Sequence, residues 1–155
     1  MNGVTNKYIE DFLRPVTKHF IGVFSANNLP KHLSKSETFS LICNHDNLGE
    51  AGSHFISIVH VGICILYIDS LGFPCTIDDI RNFLWSFQLP VFYNSRQLQS
   101  VDSSFCGFYC ILYVLHFDQM FNYHVLPPKL VFNVIELNEN DMLCIKQIRK
   151  LLRNM

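Results

Sequence analysis

Four side chains of this 155-residue sequence could together perform acyl-transfer chemistry: His54, Asp69, Gln99 and Cys106. In chain order they supply a base, a carboxylate able to orient that base, an amide donor and a thiol, the set a cysteine nucleophile needs. A thiol has an ordinary pKa of about 8.5 and is mostly protonated at neutral pH. It becomes reactive beside a base, a positive neighbour or a helix N-terminus. Cys106 opens Cys106-Gly107-Phe108-Tyr109-Cys110 directly after the polar, turn-rich stretch 94–105, which puts it at the expected start of a helix. The macrodipole adds about half a positive charge there, and Gly107 is expected to leave the adjoining peptide group uncrowded for a substrate carbonyl. Cys110, one turn further on, has neither the loop nor the terminus and is assigned to the core.

His54 follows the Gly52-Ser53 loop and begins an apolar run, which sets an imidazole of ordinary pKa about 6.5 at a sheet rim. Asp69 closes a second apolar run, where a buried carboxylate requires a hydrogen-bonding partner. If residues 54–61 and 63–68 pair as a hairpin around Gly62, His54 and Asp69 come out close to opposite one another at one rim. Blander readings stand beside these. His54 could be a structural histidine, the better account of His60, His116 and His124, and Asp69-Ser70-Leu71-Gly72 could be a simple Asx-type turn. Gln99 lies seven residues before Cys106, within a loop's reach, so its amide and the Cys106 backbone N–H could form an oxyanion site. Gln97 competes for the same role.

The elements that must position these groups are legible in outline. Thr5 caps a short helix through Leu13, stopped by Pro15, and an extended Phe20–Phe24 precedes a turn at Asn27-Asn28-Leu29-Pro30. Strand composition at 38–43, the two runs around Gly62 and a short Val91–Tyr93 segment form the sheet. Thr76-Ile77-Asp78-Asp79 resembles a capping box opening a helix toward Gln88 before Pro90. A central helix spans 106–120, Pro127-Pro128 breaks the chain, a short extended segment follows, and Asn138 or Asn140 caps a last helix to about Asn154.

Composition bounds the answer. Hydrophobic residues make up 49% and charged residues 16%, which excludes a disordered chain and fits one domain over residues 1–155. A net charge of −1 gives no general drive toward nucleic acid; Lys146, Arg149, Lys150 and Arg153 form one stripe that reads as a solvated helix face. The six cysteines are scattered and have no paired Cys-x-x-Cys knuckles, so reduced thiols, an intracellular setting and no structural zinc are expected. The longest charge-free runs are too short to cross a bilayer, and Lys7, Glu10, Asp11 and Arg14 interrupt any signal-peptide centre. Neither a membrane association nor secretion is expected.

Together, Phe20-Ile21-Gly22-Val23-Phe24, Gly52-Ser53-His54-Phe55, Asp69-Ser70-Leu71-Gly72 and the Gln99-to-Cys106 spacing resemble the adenovirus-type maturation proteases, the adenain family, in the clan that includes the SUMO-deconjugating proteases. The resemblance runs from about 20 to 119. It implies an α+β, papain-like fold, with a small central mixed sheet, a catalytic helix and flanking helices. By the same resemblance Cys106 is the nucleophile, His54 the base, Asp69 its orienting partner and Gln99 the oxyanion donor. The implied activity is cleavage of viral capsid or core precursors at glycine-containing sites, in the infected cell and the virion, by a monomer whose chemistry requires no cofactor. The family's activating peptide and DNA are implied as accessory partners. Two departures are visible: the family's common His-Trp is His54-Phe55, and no cysteine lies near Gln88, so disulfide tethering of a peptide is not expected. A SUMO-type deconjugating protease and a catalytically silent binding module are the alternative readings.

Overall fold

The structure is a computed structural model that describes residues 3–50, 52–123, 132, 136–153 and 155. It is α+β, with a five-stranded mixed sheet and four α-helices. The chain runs α1 (Asn6–Leu13), β1 (Phe20–Ser25), a 3-10 turn (Ala26–Asn28), β2 (Phe39–Asn44), β3 (Phe55–His60), β4 (Ile65–Ile68), α2 (Asp78–Ser86), β5 (Val91–Tyr93), α3 (Cys106–Tyr123) and α4 (Leu137–Arg153). Sheet order follows chain order. The outer pairs β1/β2 and β4/β5 are parallel, and β2/β3 and β3/β4 are antiparallel.

Every residue of β2 and β3 is buried, as strands covered on both faces must be. Side-chain alternation splits their burial into two cores. Ile42 and Phe55 join Ile9, Leu13 and the apolar body of α3 on one side, while Leu41, Cys43, Ile56 and Ile58 join Ile80 and Leu84 of α2 on the other. Helix α3 is apolar on all sides because α1, α4 and the sheet surround it. Its one carboxylate, Asp118, is buried and accepts the Lys18 and His19 backbone N–H groups, both at 2.9 Å, so it is not stranded.

Thr5 Oγ1 accepts the Tyr8 N–H at 3.2 Å, the expected N-cap of α1. The β3–β4 hairpin turns at Gly62, whose φ of 85° lies in the region glycine tolerates, closed by Val61 N–H to Cys64 O at 3.1 Å. Two caps differ from expectation. Helix α2 is entered through Ile77 with no side-chain cap, so Thr76 stands outside; Asp78 instead pairs with Arg81 within the first turn. The helix ends at Ser86, and Gln88 turns the chain away with φ 57°. Helix α4 begins at Leu137, placing Asn138 and Asn140 inside its first turn rather than at its cap. Asn140 is drawn inward because its Nδ2 donates to Leu98 O at 2.8 Å. The expected break at Pro127-Pro128, the extended segment after it, His124 and the helix end at Asn154 lie outside the described residues.

Candidate active site

The ladder between β3 and β4 pairs Ser57 with Ile68. Extending that register sets Asp69 across from Ile56, so His54 lies two residues further along on the same face instead of directly opposite. A histidine side chain spans that diagonal. His54 Nε2 is 2.8 Å from Asp69 Oδ1; the Asp69 side chain is buried, while the His54 ring keeps some access to solvent. With Nε2 on the carboxylate, Nδ1 is the nitrogen left for the thiol, and the His54 ring is hydrogen-bonded to Cys106.

Asp69 is fixed at both ends. Its Oδ1 also accepts the Leu71 N–H at 2.8 Å, the Asx-type turn of the blander reading, and the carboxylate serves both roles. Its backbone is clamped by Asn94, which accepts the Asp69 N–H at 2.7 Å through Oδ1 and donates to the Asp69 carbonyl at 2.6 Å through Nδ2.

Cys106 is the first residue of α3 and is buried. Burial acts to raise its pKa, but the hydrogen bond with His54, backbone contacts at Phe55 and Gly107 and the positive imidazole carry it below the ordinary thiol value. For His54 burial acts downward, yet hydrogen bonds and charges at Asp69 and Cys106 prevail and raise it to about 9. The pair therefore favours thiolate beside imidazolium. No such partner exists for Cys110, whose thiol burial pushes far above its ordinary value.

Gln99 is buried and its amide is oriented: Oε1 accepts Ser70 Oγ at 2.6 Å and Nε2 donates to Ser103 O at 2.6 Å. An amide nitrogen has two hydrogens, so one remains beyond the Ser103 bond. Gln99 lines the same cleft of about 340 Å³ as His54, Phe55, Leu71 and Cys106. Gln97 instead donates its amide to the Gln99 carbonyl at 2.9 Å and is not among the residues lining that cleft. The Leu98 and Gln99 N–H groups both reach Ser70 O, at 2.8 and 3.0 Å, so the loop is tied to the residue beside Asp69.

Gly107 also makes room within the fold. A side chain there would collide with Val4, and beyond it with Ile9 Cδ1 at 3.2 Å, so the missing Cβ makes room for the chain's own N-terminal segment. Gly3 and Val4 accordingly form part of the cleft wall.

Sequence reasoning missed the supports. Asn94 and Ser70 hold the acid and the amide; Asn140 and Asp141 hold the loop from α4, the latter accepting Ser103 Oγ at 2.6 Å and Tyr109 Oη at 3.1 Å. His45, whose ring packs on His54, was also unread. Two of the other histidines serve elsewhere: His60 stacks on Phe39 at the far end of β3, and His116 packs against Phe117. All six cysteines are free. Among the described residues no cluster of three or more His, Cys, Asp or Glu could hold a metal ion, and no helix is long and apolar enough to cross a membrane. A scan against protein-family models finds no match, and neither does a search among curated proteins.

Proposed function

We propose that the chain is a cysteine peptidase of papain-like, adenain-like fold that cuts viral capsid or core precursor proteins at glycine-containing sites. One observation carries the reading: a single imidazole holds Asp69 on Nε2 and interacts with the Cys106 thiol, itself the first residue of a helix. The likeness to adenain in residue order and spacing supplies the substrate class, with maturation inside the infected cell and virion.

In the proposed reaction the Cys106 thiolate attacks the peptide carbonyl carbon. Charge collects on the oxygen, where the Cys106 N–H and the remaining Gln99 amide hydrogen donate. His54 gives its proton to the leaving amine, the C–N bond breaks and a thioester remains. Water then attacks the thioester while neutral His54 takes its proton, which releases the acid and restores the charged pair. Asp69 keeps the ring oriented and favours its protonated form throughout. Each step uses the chain's own groups; a peptide or DNA activator would act on the fold and not on the bonds.

Labelling with an alkylating agent followed by mass mapping of all six cysteines tests the reading. Modification concentrated on Cys106, with hydrolysis lost in Cys106→Ala, is the expected outcome; equal labelling of several thiols with no hydrolysis would leave a silent binding module. Glycine-containing capsid-precursor peptides compared with ubiquitin or SUMO fusions decide the substrate class, and preferential cleavage of the fusions would favour the deconjugating alternative.

A further inference from the structure

Behind His54 stands a second imidazole. His45 is the first residue after β2, and its backbone N–H donates to the His54 carbonyl at 2.9 Å, continuing the contact of β2 with β3 by one more bond. The two rings meet T-shaped, with centroids 5.0 Å apart and planes at 75°. His45 Nε2 lies 3.3 Å from Tyr67 Oη. Tyr67 is itself buried on β4, with the Cys75 thiol acting on its hydroxyl, so the ring that His45 meets is packed in place. The His54 ring is thus held from three directions: Asp69, Cys106 and His45.

We propose that His45 is a positioning residue: anchored by Tyr67 and by its backbone link, its ring braces the His54 imidazole so that the two nitrogens stay aimed at Asp69 and Cys106. The proposal rests on the reading of Cys106 and His54 as the reacting pair. An edge-to-face partner fixes ring rotation, the one freedom left to an imidazole whose carboxylate bond is a single contact. Charge supports the same arrangement. The groups that act on His45 are His54, Asp69, Asp46 and Tyr67. Burial first, then the positive charge of His54, holds His45 down to about 4 against the pull of Asp69 and Asp46. At neutral pH the brace is therefore an uncharged ring, which an imidazolium tolerates; a second cation at that separation would repel it.

The test is a pH titration of thiolate ultraviolet absorbance on the substrate-free full chain, with Cys106→Ala as the blank, together with kcat and KM. In His45→Ala the acid-side loss of the thiolate signal should move up by about one pH unit, as the loosened imidazole holds the Cys106 thiolate less well, and kcat should fall about tenfold while KM stays within about twofold. His45→Lys, which places a fixed charge there, should fall further, and His45→Phe, which keeps a ring, should recover most of the loss. A folded His45→Ala or His45→Lys with wild-type midpoint and kcat would overturn the proposal. Should those variants not fold, Tyr67→Phe removes only the anchoring hydroxyl, and an unmoved midpoint there would overturn it equally. Absence of any Cys106-dependent thiolate below the ordinary thiol pKa in the wild type would sink the parent reading and this proposal with it, an outcome distinct from a normal wild-type signal that ignores His45.

Discussion

Helix α3 carries two cysteines one turn apart, and they differ in almost everything except their burial. Both are nearly closed to solvent, at 9% and 3% exposure. Cys106 has a hydrogen-bonded imidazole and the backbone of Phe55 and Gly107 around it, and its pKa falls despite burial. For Cys110 burial dominates; the Ser57 hydroxyl alone acts downward, while Cys106, Asp69 and Cys144 nearby favour the neutral thiol. Low dielectric does not make a thiol inert. It magnifies whatever stands next to the sulfur, so position along one helix decides between a thiol poised to ionise and core filling.

The largest effect that can break this contrast is removal of each sulfur in turn. Cys106→Ala should lower peptide hydrolysis by roughly 10⁴-fold or more, since attack and proton transfer act as a unit. Cys110→Ala should leave the rate within a few-fold and cost about 1–2 kcal/mol of stability through the cavity it opens. Rate assays and denaturant melts on both variants check this; a Cys110 variant as inactive as the Cys106 one would dissolve the distinction.

Asp69→Asn comes next, because it removes the strongest partner raising His54 while leaving the thiol in place. A loss of roughly 10²–10⁴-fold is expected. The pH profile sharpens the point. In the wild type, activity should rise as Cys106 deprotonates, below the ordinary thiol pKa, and fall as His54 loses its proton at about 9. In Asp69→Asn the alkaline limb should move toward lower pH. An alkaline limb that stays at its wild-type position would mean that the carboxylate does not govern the imidazole.

Smaller again is the contrast between two glutamines two residues apart. Gln99→Ala should slow turnover by roughly 10²–10³-fold, the typical cost of one oxyanion donor, with little change in KM. Gln97 has its amide on the Gln99 carbonyl, so Gln97→Ala should cost only a few-fold through a loosened loop. Reversed magnitudes would transfer the donor role to Gln97.

How far the site could be read beforehand follows from how each residue is held. His54 directly precedes and Asp69 directly follows strands whose apolar runs flank one glycine, so the hairpin and their shared rim are properties of local pattern. Cys106 sits where a polar stretch meets an apolar one, which marks a helix start without any tertiary information. The two-residue diagonal between acid and base depends on the register of a ladder, which composition does not specify. Asn94, Asn140, Asp141 and His45 escaped because each acts by a side-chain bond or ring contact to a distant segment, and such bonds have no periodicity. Thr76 misled for the complementary reason. The cap pattern was present, but Asp78 found Arg81 and the chain entered the helix one residue late.

The same two imidazoles that meet at the site should leave the smallest signature, one of stability. His45 has its folded-state pKa lowered to about 4 from 6.5, so below 6.5 the unfolded chain binds a proton that the native chain does not, and stability falls as pH drops from 6.5 toward 4. His54 is raised to about 9, so its contribution is complete below 6.5 and disappears as pH climbs from 6.5 through 9. The two slopes have opposite signs and meet near 6.5. Each is read as the difference between wild type and a variant lacking that imidazole. His45→Phe should flatten the acid side of the melting-temperature profile and His54→Phe the alkaline side, each by roughly 2–4 °C, the response of a domain this size to about 1 kcal/mol. Both variants flattening the same side would show that the two rings titrate as one group, and the division of labour between brace and base would have to be redrawn.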